Sequence, residues 1–369
     1  MLSILYSTRK LPNIASYFIF MRQTFGTRGV VRCAALLYIL FLMQLISGSI
    51  KNYTLFAALF KKGIVEFTLL IPKLIFTLLS FVRMKRFDEQ LEHLINEALT
   101  EDVGDGDHST LSCIPADKKG KAVLKIKQDG ILAGMEVAHK IFSLVEPEFQ
   151  FKAFKKDGNA MHAGEQAFEV EASIRTILKC ERLVLNCMQR MSGIATLTRQ
   201  YADKLKGYAT KILDTRKTTP NFRLLEKEAV RIGGGINHRF GLYDMIMLKD
   251  NHIDYCGSLE VAINKAWTYV QTKKPDLKIE VETRTIDDVG KVCSIAKGKV
   301  FRIMLDNFSP QQIAEALQII NHEFETEASG GINLDNITDY AATGVDYISV
   351  GGLIHQAKSL DLSLKAELK

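Results

Sequence analysis

Arg216, Lys217, His238, Arg239, Lys249 and His252 fall within the 39 residues from Asp214 to His252. They lie in three short stretches: Asp214-Thr-Arg-Lys-Thr-Thr-Pro220, Gly233-Gly-Gly-Ile-Asn-His-Arg239 and Leu248-Lys-Asp-Asn-His252. An arginine fork binds a carboxylate through two hydrogen bonds, and a lysine supplies a point charge. Cationic donors this dense, set among glycines and short polar side chains, suit a small molecule carrying several negative charges. Taken singly, each is an ordinary solvated surface group. As a group, placed at strand ends, Arg216, His238, Arg239 and Lys249 point to carboxylate binding. Two acids follow, Glu282 and Asp306. They either pair with these cations or hold a Mg²⁺-bound sugar diphosphate or its hydroxyls, since Mg²⁺ takes carboxylate oxygen together with substrate phosphate. Glu280 lies on the same face of a regular strand as Glu282 and could share its role.

The elements that must position these groups alternate. Short apolar strands are predicted at Lys211 to Asp214, Met245 to Lys249, Lys278 to Glu282, Phe301 to Asp306, Thr326 to Ser329 and Tyr347 to Val350. Helical spacing fills the intervals, as at Ser258–Gln271, Pro310–Ile320 and Leu334–Ala342. Strand–helix alternation implies parallel strands with helical crossovers, and six strands imply a (β/α) barrel short of its usual eight. Active residues of such barrels sit at the C-terminal strand ends. Here each of those ends is polar or glycine: Asp214-Thr-Arg-Lys217, Lys249-Asp-Asn251, Glu282, Asp306-Asn307, Ser329-Gly-Gly331 and Gly351-Gly352. Glycine-freed amides after late strands are a frequent phosphate site, although a Gly-Gly pair alone is more often a plain turn.

Upstream the pattern is α+β. Phe87 to Thr100 has helical spacing, Lys121 to Lys127 and Ala167 to Ala172 alternate as strands, and Met135 to Val145 is helical. The acidic stretch Glu101–Asp107 lacks the spacing and terminal Glu of a calcium loop and reads as a helix-ending turn. Thr176 to Leu205 is a long helical stretch, with an interruption expected at Ser192-Gly193.

Composition divides the chain. Of 48 basic and 42 acidic side chains, ten and one lie in residues 1–83, leaving 38 and 41 in residues 84–369. The body is slightly acidic, which argues against a general nucleic-acid binder. The six cysteines form no C-x-x-C pair, so a zinc site is not expected and reduced, packed thiols of a cytoplasmic protein are. Cys33 to Ile50 is uncharged for 18 residues, long enough to span a bilayer. Gly63 to Val82 is apolar but broken by Glu66, Pro72 and Lys73. Residues 1–83 are therefore a membrane segment, a targeting leader, or an extension outside the working protein; the last is favoured, because Met84-Lys-Arg-Phe-Asp-Glu-Gln reads as an ordinary soluble start.

From Glu101–Asp107 and Ile131-Leu-Ala-Gly134 onward, the chain resembles the quinolinate phosphoribosyltransferases. The resemblance continues through Leu185-Asn-Cys-Met-Gln-Arg-Met-Ser-Gly-Ile-Ala195, the three cationic stretches, Glu280-Val-Glu282, Leu305-Asp-Asn-Phe308, Ser329-Gly-Gly-Ile332 and Asp346-Tyr-Ile-Ser-Val-Gly351. It implies an N-terminal α+β sandwich over 84–196, packed on an incomplete (β/α) barrel over 197–369 whose C-terminal tail returns to the first domain. It implies a homodimer or higher homo-oligomer in which Arg182 reaches the partner's site. It further implies that Arg216, His238, Arg239 and Lys249 bind quinolinate, with Thr215 beside them, and that Lys217 stands between the two substrates. Glu282 and Asp306 match acids near the ribose and the Mg²⁺ of the sugar diphosphate. Ser329, Gly330, Gly331, Gly351 and Gly352 match the phosphate loops. The chain departs from the family's pattern in an interval between Glu282 and Asp306 about three residues longer, in Ile354 for a common threonine, in Gly352 for a common alanine, and in its apolar leader.

The implied reaction joins quinolinate to 5-phosphoribosyl-1-diphosphate and releases diphosphate and CO₂, giving nicotinate mononucleotide. Three rivals are weighed against it: a paralogue acting on another aromatic acid, a Schiff-base aldolase using Lys249, and a membrane-anchored binding protein without turnover. His252 reads as structural.

Overall fold

A computed structural model describes residues 87–367. The chain divides into two compact units, Met1–Glu89 and Gln90–Lys369. Both apolar runs of the leader lie outside the described residues. Among the described residues no helix is long and apolar enough to cross a membrane.

The described chain opens in a helix over 87–103 (α1), which buries Leu91 and Ile95 one turn apart. The acidic stretch is a turn between helices. Gly104 and Gly106 take positive φ, and the Asp107 carboxylate accepts the Thr110 N–H at 3.1 Å to cap α2 (His108–Cys113). There follow β1 (Lys119–Ile126), β2 (Gly130–Ile131), α3 (Met135–Val145), β3 (Gln150–Ala153), β4 (Ala160–Met161) and β5 (Gln166–Ser173). β5 pairs antiparallel with both β1 and β3. On the buried face Phe168 stacks on Phe151 at 4.5 Å between ring centroids and meets Phe142 edge-on at 6.4 Å. Phe142 and Phe168 are fully buried, which stabilises the layer by about 1.5–3 kcal/mol for each ring.

A single helix, α4 (Ile174–Lys204), then crosses from this layer to the barrel. The expected break at Ser192-Gly193 is absent, and both residues serve close packing instead. Ser192 Oγ accepts the Ala133 N–H at 3.0 Å, while a Cβ on Gly193 would stand 2.0 Å from the Lys358 carbonyl oxygen. The glycine lets another backbone approach the helix.

The barrel half comprises β6 (Lys211–Leu213), α5 (Arg223–Gly233), β7 (Ile246–Leu248), α6 (Asp250–Cys256), α7 (Leu259–Lys273), β8 (Ile279–Thr283), α8 (Ile286–Ile295), β9 (Arg302–Asp306), α9 (Pro310–Ile320), β10 (Glu325–Ser329), α10 (Ile337–Ala341), β11 (Tyr347–Ser349) and α11 (Gly352–His355). Its six strands are hydrogen-bonded in the order β6-β11-β10-β9-β8-β7. Every pairing is parallel. A parallel bridge from Leu213 to Ile236 extends the β6 edge. With β6 and β7 unpaired to each other among the described residues, the barrel is incomplete. The last strand, β12 (Leu362–Glu367), leaves the barrel and pairs antiparallel with β1 over six residues, completing a four-stranded sheet.

Candidate active site

Parallel strands running in register bring their C-terminal ends to one rim. Ser329 lies directly beside Asp306, and Glu282 beside Met304 on the next strand. Glu282 and Asp306 are thus neighbours, and Lys249, just beyond β7, donates from Nζ to Glu282 Oε2 at 2.6 Å. Asp306 is half-buried. Burial and the adjacent Glu282 charge push its pKa up, against the opposing pull of Lys249. Two neighbouring acids, one of them resisting ionisation, make a place where a further cation would be stabilised.

The arginines show the opposite need. Arg216 follows β6 and keeps a buried Nε with no hydrogen-bond partner. Arg239 donates from Nη1 to the Met245 carbonyl at 3.1 Å. Burial first, and then the positive charge of Arg216, lower the Arg239 pKa. Two guanidinium groups close enough to repel, one with an unused buried donor, form a cationic site only partly offset by Glu280 and Asp244, which suits an anion.

Asp214, the first residue of the first cationic stretch, is fully buried. It accepts Lys227 Nζ at 2.5 Å, the His238 N–H at 2.8 Å and Asn237 Nδ2 at 2.8 Å. Lys227 also donates to the His238 carbonyl at 3.1 Å. Burial raises the Asp214 pKa and lowers that of Lys227. The pair pins the segment 237–239 to the end of β6, so that Arg216 and Arg239 share one rim.

His238 points into the barrel. Its Nε2 lies 3.1 Å from Glu280 Oε2 and 3.2 Å from Glu327 Oε2, and Arg302 Nη1 lies 2.9 Å from Glu327 Oε2. Burial opposes charge on the ring, but the two carboxylates outweigh it and raise the His238 pKa to about 9. The Arg239 N–H, 2.6 Å from Nδ1, works the other way, because a protonated Nδ1 could not accept it. Two carboxylates within 3.2 Å carry more weight than one amide, so the net direction is upward. Glu280 is pushed up by burial and then by Glu327. Glu327 is drawn down, despite burial, by His238. The His238, Glu280 and Glu327 ligand atoms converge within 4.8 Å, close enough for a metal ion, but Arg302 already supplies the countercharge there. Glu280 therefore belongs to a layer beneath Glu282 and is held by a different set of partners.

The remaining positions fall around this rim. Thr215 Oγ1 accepts the Lys217 N–H at 3.1 Å, and Lys217 is exposed. A Cβ on Gly351 would lie 3.0 Å from Lys217 Cδ and 3.3 Å from His355 Nε2, so the glycine leaves room for both side chains. Gly330, at φ 96°, faces Asn307, whose Oδ1 would be 2.1 Å from an added Cβ. Gly331 also has positive φ, and Gly352 opens α11. His252 Nδ1 accepts the Lys249 N–H at 3.1 Å and caps α6. Arg182 stands exposed on α4, away from these strand ends in sequence and in element. Sequence reading missed Glu327, Arg302 and His355. The first two sit on central strands, Arg302-Ile-Met-Leu-Asp306 and Glu325-Thr-Glu-Ala-Ser329, whose sequences show no alternation that sets them apart; His355 had no signal beyond its distance of four residues from Gly351.

Two family models match the chain: the N-terminal domain of quinolinate phosphoribosyl transferase over residues 107–192, and its C-terminal domain over 194–365. A rice protein named as a chloroplastic, carboxylating nicotinate-nucleotide pyrophosphorylase is 44% identical over 290 residues, covering 75% of this chain and 78% of the relative. A Bacillus subtilis protein, named as a probable nicotinate-nucleotide pyrophosphorylase (carboxylating), is 44% identical over 279 residues, covering 76% and 94%. The crystal structure of NadC from Streptococcus pyogenes superposes with a TM-score of 0.70 at 41% identity, covering 75% of this chain and 95% of that one. With both domains of one family matched in order across residues 107–365, the chain belongs to the quinolinate phosphoribosyltransferase family.

Proposed function

We infer that this chain transfers the phosphoribosyl group of 5-phosphoribosyl-1-diphosphate to quinolinate, with loss of CO₂ and diphosphate, and forms nicotinate mononucleotide for NAD biosynthesis. The observation that carries the reading at the site is the mutually repelling pair Arg216 and Arg239, neither hydrogen-bonded to a carboxylate among the described residues, beside a rim that also holds Glu282 and Asp306. Arg216, Arg239 and Lys249 clamp the two carboxylates, with His238 holding Arg239 from beneath and Thr215 steadying the Lys217 loop. Lys217 stands between the substrates and stabilises charge on the departing diphosphate. Glu282 and Asp306 face the ribose, where negative charge favours the oxocarbenium-like centre. They are also the residues that would sit toward Mg²⁺, which neutralises diphosphate charge when bound with that substrate. Ser329, Gly330, Gly331, Gly351 and Gly352 receive the ribose phosphate. The chain itself binds, orients and stabilises; no side chain acts as a covalent nucleophile.

In the same reading the protein works as a homodimer at least, with exposed Arg182 completing the site of the partner subunit. We assign it to the cytoplasm on the strength of its unpaired thiols, Cys113, Cys180, Cys187, Cys256 and Cys293. Fractionation of native protein separates this from an organelle.

The experiment is turnover of quinolinate with the sugar diphosphate and Mg²⁺, followed by chromatography of nicotinate mononucleotide. R239Q should raise the quinolinate KM or lower kcat/KM by an amount equivalent to about 2–5 kcal/mol. Equal use of nicotinate, or no product, overturns the assignment.

A further inference from the structure

Arg190 lies midway along α4, and all three nitrogens of its half-buried guanidinium donate within the protein. Nε and Nη2 donate to Glu226 Oε1 at 3.1 and 2.9 Å. Nη2 also donates to the Ile354 carbonyl at 2.9 Å, and Nη1 to the Ala357 carbonyl at 2.7 Å. Glu226, on α5, is fully buried. Its carboxylate accepts the Thr219 N–H at 2.8 Å through Oε2 and the Thr219 hydroxyl at 2.9 Å through Oε1. One ion pair therefore grips two separate segments. Thr219 is two residues from Lys217, while Ile354 and Ala357 flank His355 and follow Gly351 and Gly352. The same two segments touch at their other ends, where the Lys217 stem passes over Gly351.

The carbonyls that Arg190 takes lie at and just beyond the end of the short helix α11, and that of Ile354 also accepts the Ala357 N–H at 3.2 Å. A simple helix cap needs no second grip on a distant loop. The dicarboxylate clamp is anchored by other means: Arg239 by the Met245 carbonyl, the segment 237–239 by Asp214 and Lys227, and Lys249 by Glu282. Of the clamp, Arg216 alone lies on a clasped segment, one residue from Lys217, and its loop is held at the other end by Asp214 on Lys227 and the His238 N–H.

We propose that Arg190 and Glu226 are positioning residues that set the distance between the Lys217 loop and the phosphate-binding turn 351–357, and so govern use of the sugar diphosphate far more than quinolinate binding. The proposal rests on the functional reading above for the identity of the two ligands. The guanidinium fork is essential to it, because a lysine reaches Glu226 or the two carbonyls but not both.

The test uses the full chain with R190Q, R190K and T219V, the last removing one hydroxyl bond while leaving the ion pair intact. Calorimetry reads binding of quinolinate alone and of the sugar diphosphate with Mg²⁺ alone. Steady-state kinetics read KM for each substrate and kcat. R190Q should weaken sugar-diphosphate binding and raise its KM by about tenfold or more, the factor that corresponds to about 1.4 kcal/mol. Quinolinate affinity should stay within about twofold on the same scale. R190K should recover only part of the loss, and T219V should show a smaller rise of the same selectivity. Parallel weakening toward both substrates, or unchanged sugar-diphosphate binding in folded R190Q, overturns the proposal. Should R190Q fail to fold, T219V decides: a selective rise in sugar-diphosphate KM supports the clasp, and no rise overturns it. A wild-type chain that binds both ligands without turnover would refute the functional reading alone, since the binding arms still read the clasp.

Discussion

At the scale of the residue, the structure separates cations nearer the strand-end rim from those set among buried partners. His238 is of the second kind, with Nε2 between Glu280 and Glu327 and Nδ1 under the Arg239 amide. Its pKa is raised from 6.5 to about 9 by the two carboxylates acting against burial. A group whose folded-state pKa is raised adds stability that is complete below its unfolded value and is lost as pH climbs through the folded one. Stability should therefore fall between pH 6.5 and about 9, by on the order of 3 kcal/mol. E327Q removes one of the two carboxylates and should shrink that fall. Urea midpoints of both proteins at the two ends of the window test this; a wild-type midpoint that does not move contradicts the assigned direction. Arg216, Arg239 and Lys249 were legible from residue type and strand-end placement. The layer beneath them was not, because a buried charge is chosen for its partners, and these lie 42 to 89 residues away along the chain: Glu280 and Glu327 from His238.

At the scale of the element, α4 decides how the two halves of the described fold meet. Helical spacing from Thr176 to Leu205 was plain, yet Ser192-Gly193 looked like a break. Glycine in a helix costs about 0.5–1 kcal/mol relative to alanine, so an interruption was the local expectation. Tertiary contact overrides it, since the Lys358 carbonyl occupies the space a side chain would need. G193A should consequently lower the melting temperature instead of raising it, at a cost of about 1–3 kcal/mol from overpacking. Calorimetric melting distinguishes the two signs, and a rise would mean that the backbone contact yields easily. The six barrel strands were found to within a residue or two because alternation with helices left few other assignments, whereas Gln150–Ala153 and Leu362–Glu367 of the first sheet were not. Glu101–Asp107 resolved as a capped turn for the reason local chemistry suggested: Asp107 accepts an orphan N–H of the next helix.

At the scale of the molecule, the chain returns on itself. β12 pairs with β1, and Gln189 on α4 donates to the Leu362 carbonyl at 2.9 Å. Removal of residues 362–369 deletes Leu362 and Leu364, which are 2% and 5% exposed, and so uncovers their core neighbours and bares the β1 edge. The truncated chain should lose about 3–6 kcal/mol and tend to associate through the open strand. Denaturant unfolding and light scattering read the two effects, and an unchanged midpoint would show that β12 is dispensable. The closing strand also explains why Arg190 can clasp Ile354 and Ala357: the segment from α11 to β12 runs back across α4.

By itself, the sequence determined the alternation that makes a parallel barrel, the polar and glycine residues at its strand ends, and the family motifs that name the reaction. Such features are local, because period, turn chemistry and charge are written in consecutive residues. The tertiary structure alone decided which cations were left without a partner, which acids were already spent, and which arginine joined two loops. Those outcomes depend on burial and on partners far apart in the chain. Among the described residues no carboxylate is hydrogen-bonded to Arg216 or Arg239, while Lys227 and Arg302 are paired with Asp214 and Glu327, and His238 stands between Glu280 and Glu327. In a low-dielectric interior such buried pairs brace the rim.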